Sequence, residues 1–299
     1  MHESVLLHET IGSLELVPGD VVVDGTLGRA GHALEALRVE PGIFVIGIDR
    51  DEQAIEESTA KLSAVTKQFR IFSGNFRDMD RFVAEASAET GKAKADKIIL
   101  DLGISSPHLD SSGRGFTFQK DEPLLMTMKR DLGDSDFTAR DIVNGWEEED
   151  IANVLYAYGD ERYSRRIAKA IVAAREVSPI ETTFELVDVI RGAVPGSYRA
   201  GKINPATRSF QALRIAVNDE LGSLRQGLAT GLSALAPGGR MAVISFHSLE
   251  DRIVKNFMRD AEKEGKGRSL TKKPMVPTDE EMSRNPRSRS SKLRVFIHN

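Results

Sequence analysis

Apolar residues in this chain follow two alternating rhythms. Short runs rich in β-branched residues (Val21-Val22-Val23, Phe44-Val45-Ile46, Arg70-Ile71-Phe72 and Ile98-Ile99-Leu100) read as buried strands. Between them, apolar positions recur at helical spacing, as with Ala54, Ile55 and Leu62 in 51–64, and with Phe82 and Val83 in a helix running to Gly91. A helical lead-in over Val5, Leu6, Leu7, Ile11, Leu14 and Leu16 is closed by the turn Pro18-Gly19-Asp20. The order β-α-β-α-β-α-β implies a parallel sheet with a ligand site at the carboxyl ends of its strands.

The rhythm then changes. Residues 109–204 carry helical periodicity without a convincing strand. Ile151, Val154, Leu155 and Tyr158 mark one helix, and Ile167, Ala170, Ile171 and Ala174 a second. Thr182 and Glu185 form a capping box that opens a third, reaching Arg191. From 205 the first pattern returns. One long apolar stripe runs from Phe210 to Leu235 and stops at Pro237-Gly238-Gly239. Strands follow at Met241–Ser245 and Leu293–Ile297, the last with 268–273 as its candidate partner. The expected fold class is α/β, a doubly wound sheet built from residues 1–108 and 205–299 and interrupted by a helical domain at 109–204.

The chemistry concentrates where the first strand ends. Asp24 is followed by glycines at 25, 28 and 31 and by a helix over roughly Gly31–Arg38. Such a turn brings backbone N–H groups close to a ligand. The spacing is G-x-x-G-x-x-G, not the G-x-G-x-x-G of dinucleotide enzymes. A carboxylate at the strand tip repels a pyrophosphate and suits a cation. S-adenosylmethionine (SAM) carries both an ammonium and a sulfonium, so it is favoured over NAD. Asp49 ends the second strand about 20 residues beyond the loop, where an acid accepts both ribose hydroxyls. Asp101 tips the fourth strand. Phe76, after the third, has two readings: a stack on adenine or a plug at the core edge.

Composition narrows the class. With 299 residues, 40% hydrophobic and 29% charged, the chain suits one large domain with an insertion. It lacks a signal-like start and an apolar run of membrane-spanning length. There is no Cys, and six scattered His lack H-E-x-x-H spacing, so neither disulfide nor metal is expected and the cytoplasm is the expected location. Charge is unevenly placed. Between Lys263 and Arg294 ten basic side chains face four acidic ones, against −4 for the whole chain. This suggests an acidic body with a basic, polyanion-facing end, or else a solvated tail. Arg162, Arg165, Arg166 and Lys169 form a cationic stripe at i, i+3, i+4, i+7, either a solvated face or an RNA-facing one.

Several longer strings resemble one family, RsmH (MraW): Asp24-Gly25-Thr26-Leu27-Gly28, Asp101-Leu102-Gly103-Ile104-Ser105-Ser106-Pro107, Arg114-Gly115-Phe116, Pro205-Ala206-Thr207-Arg208 and Ser245-Phe246-His247-Ser248-Leu249-Glu250-Asp251-Arg252. The matches run from residue 5 to residue 294. The resemblance implies a Rossmann-like class I SAM-dependent methyltransferase sheet. It also implies methylation of a cytidine N4 in the decoding region of 16S ribosomal RNA within the small ribosomal subunit. By the same resemblance Ala30, Gly31, His32, Asp49, Phe76, Asp101 and His108 form the cofactor site, and 109–204 recognises the substrate. This chain departs from the family pattern at Ala30 (usually Gly), at His108 (usually Gln) and across Asp121–Met128, where Glu122, Leu125 and Thr127 stand for Gly, Asp and Arg in the usual D-G-P-L-D-M-R-M. No catalytic residue is assigned. His247 and Asp251 are either helpers or helix caps. The rival class is a non-catalytic RNA-binding assembly factor that keeps SAM as a structural ligand.

Overall fold

The computed structural model describes residues 4–103, 112–129, 133 and 136–299. The expected turn Ser105-Ser106-Pro107-His108 lies outside them. Two compact units are formed, one from Met1–Gly103 with Leu221–Asn299, the other from Ile104–Glu220.

The first unit is built on a seven-stranded sheet. Its strands are β1 (Val21–Asp24), β2 (Phe44–Asp49), β3 (Phe69–Ser73), β4 (Ala95–Asp101), β5 (Leu235–Ser245), β6 (Gly267–Ser269) and β7 (Lys292–His298). Their order is β3-β2-β1-β4-β5-β7-β6. The first five run parallel, and β7 lies antiparallel to both β5 and β6. The Rossmann-like arrangement expected from the strand rhythm is therefore present. Order reverses between β1 and β4, which opens a crevice at their carboxyl ends.

Successive strand residues point to opposite faces, and helices cover both. Val21, Val23, Ile98, Leu100 and Val243 face one core, shared with Val83, Leu228 and Val254 from helices. Val22, Val45, Ile99, Ala242 and Ile244 face the other, shared with Ile11, Ala33 and Leu37. The continuous apolar runs of the sequence follow from this double burial.

Local differences from the sequence reading have identifiable causes. Pro237-Gly238-Gly239 lies inside β5, because the ladder passes from Leu235 opposite Ala95 to Arg240 opposite Lys97 and the irregularity absorbs the extra residues. The helix expected to reach Gly91 breaks at Ala86 into Met79–Glu85 and Ser87–Thr90. The long stripe from Phe210 to Leu235 is two helices, Thr207–Asn218 and Glu220–Ala234, separated by Asp219 in the left-handed region at φ 47°. Asn218 supports the break, donating to the carbonyls of Met126 and Arg214.

The second unit is helical. Helices Ala139–Gly145, Glu148–Gly159, Ser164–Arg175, Thr183–Ala193 and Thr207–Asn218 share a core that includes Ile142, Leu155, Ile171, Leu186, Ile190 and Phe210. Phe210, Ala212 and Leu213 belong to this core, within the unit that runs to Glu220. The expected capping box is formed: Thr182 accepts from the Glu185 N–H, and Glu185 returns the bond to the Thr182 N–H. Among the described residues, no helix is long and apolar enough to cross a membrane.

The basic end is ordered and partly neutralised from within. Asp251 accepts from Arg294 Nε at 2.7 Å and from Lys292 Nζ at 3.1 Å. Glu281 is buried and accepts the Leu6 N–H at 2.8 Å, tying the C-terminal segment to the start of the chain.

Candidate functional site

The loop after β1 is stitched to its neighbours by the backbone. Gly25 donates to the Ile99 carbonyl and Leu27 to that of Ile48. Thr26 Oγ1 accepts the Asp101 N–H at 2.6 Å, and the Thr26 N–H reaches Asp24 Oδ1 at 3.2 Å. Gly28 and Ala30 are both left-handed, at φ 49° and 61°. Gly28 meets this geometry freely, whereas the Ala30 Cβ costs on the order of 1–2 kcal/mol there. The helix Gly31–Val39 then begins with no side-chain cap on its first N–H groups. Gly31 packs against the N-terminal segment: a Cβ there would lie 2.0 Å from Ser4 Oγ, which would have to turn away.

Three carboxylates converge at the strand tips. Asp24 is 1% exposed; burial, with the charge of Asp49, outweighs its backbone hydrogen bonds and pushes its carboxyl up to about 7. Asp49 Oδ2 accepts the Gly28 N–H at 2.7 Å and Oδ1 the Asp51 N–H at 2.9 Å. Burial raises its pKa as well, opposed by backbone N–H bonds from Asp51, Gly28 and Arg50. Asp101 stands well above the usual carboxylate range, through burial first and then the charges of Asp24 and Glu250. Its Oδ1 is buried without a hydrogen-bond partner.

His32 completes the group. Burial pushes its imidazole down to about 4, so the ring is neutral, and Nε2 lies 3.2 Å from the Val5 carbonyl. That contact assigns the proton to Nε2 and leaves Nδ1 bare, 3.8 Å from Asp101 Oδ2.

Phe76 begins a 3-10 turn, Phe76–Asp78, capped by Asn75, whose side chain accepts the Arg77 N–H and donates to Ser223 Oγ. The ring is half-buried, with one edge against Gly227 of helix Glu220–Ala234. The ring packs against the core edge and keeps part of its surface exposed.

Of the expected residues, the structure brings Ala30, His32, Asp49 and Asp101 around the ends of β1, β2 and β4, with Phe76 packed beside Gly25 of the same loop. His108 lies outside the described residues. His247 caps helix Ser248–Lys263, accepting from the Glu250 N–H, and Asp251 is held by Arg294 and Lys292. Of the two readings for His247 and Asp251, capping and ion pairing are therefore the roles seen. Sequence reasoning missed Gly227 and Glu250. The first carried a signal, a glycine in mid-helix where close approach is the usual reason. The second stands in the quoted Ser245–Arg252 string, three residues after the His247 cap, but its burial (3% exposed) depends on the tertiary fold.

The residues present fit the expected cofactor. Buried acids raised by burial and mutual repulsion favour a ligand bearing positive charge, and the unpartnered Asp101 Oδ1 is available to it. A pyrophosphate would meet the same acids as repulsion.

A protein from Deinococcus deserti, named ribosomal RNA small subunit methyltransferase H, is 48% identical over 99% of this chain and 92% of its own length. One of the same name from Deinococcus radiodurans is 48% identical over 98% and 88%. An rRNA methylase structure from Streptococcus thermophilus aligns at 11% identity and a TM-score of 0.44, covering 97% of this chain and 93% of that one. The model of the MraW methylase family matches residues 1–299. A match over the whole length, with relatives this similar, means that the chain belongs to the MraW methylase family.

Proposed function

We propose that this protein transfers a methyl group from SAM to the exocyclic N4 of a cytidine in the decoding region of 16S ribosomal RNA, on the small ribosomal subunit in the cytoplasm. SAM supplies an electrophilic methyl on a sulfonium. The observation that carries the reading is the convergence of Asp24, Asp49 and Asp101 at adjacent strand ends, with an unpartnered Asp101 oxygen, in a member of the MraW methylase family.

In this reading Asp49 holds the ribose hydroxyls, and Phe76 lies against the adenine. Asp101 receives the cationic end, Ala30 and Gly31 present backbone beside it, and His32 stays neutral behind Asp101. His108 is kept as a further cofactor residue on the family resemblance alone. The helical unit recognises the RNA. An exocyclic amine is a weak nucleophile, so the protein must orient it and accept hydrogen bonds from its protons. Carbonyls or polar side chains over Asp101 to His108 would accept those bonds. The target edge is hidden in a paired base, so the base must be unpaired or swung out.

Two measurements test this. Nucleoside mass spectrometry of 16S RNA from cells lacking the protein should show the N4-methyl missing from a decoding-region cytidine. Intact N4-methylation, or loss of a carbon-5 or 2′-oxygen methyl instead, would overturn the assignment. Tritiated-methyl transfer to small subunits should be catalytic. Stoichiometric SAM binding without transfer would favour the assembly-factor class.

A further inference from the structure

The helical unit carries a basic ridge with no acidic counterpart. Arg162, Arg165, Arg166 and Lys169 are all exposed. Elsewhere in this unit cations meet acids, as Arg140 meets Glu181 at 2.9 Å and Arg214 meets Glu220 at 2.8 Å. Among the described residues no carboxylate lies within ion-pair distance of these four. Helix Ser164–Arg175 has no acid in its first turn and carries Arg165 and Arg166 there, against its own dipole. Like charges four residues apart, Arg162 with Arg166 and Arg165 with Lys169, add repulsion. The unit thus keeps an electrostatic cost that a polyanion would offset.

Part of the ridge is pre-set by aromatic rings. Arg162 precedes the helix, and its guanidinium lies 4.9 Å from the Tyr163 ring centroid and 4.8 Å from that of Tyr198. Arg166 lies 5.9 Å from Tyr163. The two rings meet edge to face at 5.0 Å. Beneath them, fully buried Glu161 accepts the Tyr198 hydroxyl at 2.6 Å and the Tyr163 N–H at 2.8 Å. Burial and this bond push the Tyr198 hydroxyl up to about 12, so it stays a donor. The carboxylate is occupied inside the fold, the rings hold the guanidinium face, and the N–H edge remains available for an anion.

Resting on the reading that the substrate is RNA, we propose that this ridge docks the sugar–phosphate backbone of the ribosomal RNA. Arg162 and Arg166 act as oriented donors, Arg165 and Lys169 as point charges. From Arg162 to Lys169 the ridge extends about 10 Å at helical rise, enough for more than one phosphate. Exposed Arg199, next to Tyr198, continues it.

The test is binding of the full-length protein to purified small subunits across a salt series. Arg165→Ala/Lys169→Ala should flatten the slope of log K against log salt by about 0.7–0.9 per charge removed and weaken binding at least tenfold near physiological salt. Arg165→Lys/Lys169→Arg should restore both. SAM affinity by calorimetry should be unchanged in either variant. A wild-type slope in the double alanine variant would overturn the ridge while leaving the enzyme reading intact. So would the same loss in both variants, since charge would not be the cause. If the wild-type protein neither bound nor methylated the subunit, the enzyme reading would fail first and the ridge with it. Tyr198→Phe frees the ring from Glu161. It should weaken subunit binding by a smaller factor without changing the slope, because no charge is lost. A change in slope there would contradict the positioning role.

Discussion

The Phe76 ring occupies the space that a side chain on Gly227 would need. A Cβ built on Gly227 would stand 2.4 Å from Cδ2 and 2.5 Å from Cε2 of that ring. The glycine in mid-helix is thus the seat of the Phe76 ring, which the proposed reading lays against the adenine. Gly227→Ala should gain up to about 1 kcal/mol of helix propensity and lose about 1–3 kcal/mol to overpacking. The ring must move, so SAM affinity by calorimetry should fall more than thermal stability does. Gly192→Ala, where nothing lies within 4 Å, serves as the control and should leave SAM affinity unchanged.

Asp49 pins Gly28 and Asp51 and, in the proposed reading, also holds the ribose. Hydrogen bonds to a charged group contribute roughly 1.5–3 kcal/mol each, so Asp49→Ala should weaken SAM at least tenfold. The same variant should lower the melting temperature even without SAM, because the Gly28 and Asp51 N–H groups lose their acceptor. Unchanged calorimetric affinity would remove Asp49 from the pocket.

Asp24 makes the apo protein sensitive to pH. Its carboxyl is raised from 3.8 to about 7, so the folded state binds the proton more tightly than the unfolded state. The contribution is therefore most favourable below pH 3.8 and is lost as pH rises to about 7. At roughly 1.4 kcal/mol per unit this amounts to a few kcal/mol. Asp24→Asn should raise apo stability near pH 8 and flatten its pH dependence between pH 4 and 7, measured by denaturant titration. Cation binding needs the ionised form, so wild-type SAM affinity should weaken as pH falls below 7.

The C-terminal cations should behave unequally. Arg294 is 12% exposed and bonded to Asp251, whereas Arg289 is exposed. Burial alone would raise the Asp251 carboxyl, but Arg294 and Lys292 together hold it below its ordinary value. Arg294→Ala should lower thermal stability and leave the salt slope for subunit binding untouched. Arg289→Ala should do the reverse, flattening the slope by about 0.7–0.9. Equal slopes for wild type and Arg289→Ala would mean the segment does not reach phosphate.

The strand runs, the glycine loop and the acids at 24, 49 and 101 were legible in the sequence because they are local: strand period, turn chemistry and carboxyl ends recur every few residues. The same locality made the Thr182 cap legible. The break in the stripe from Phe210 to Leu235 was not, because an apolar stripe does not say which core it enters. The helices on either side of Asp219 share one rhythm yet join different cores, and only packing separates Phe210 from Leu224. Nor could charge counting distinguish Arg294, neutralised by an acid 43 residues away, from exposed Arg165. Residue types and their spacing determined what chemistry this chain can perform. Burial and long-range pairing, which exist only after folding, decided which acids are raised, which cations remain unpaired and which glycine holds the ring.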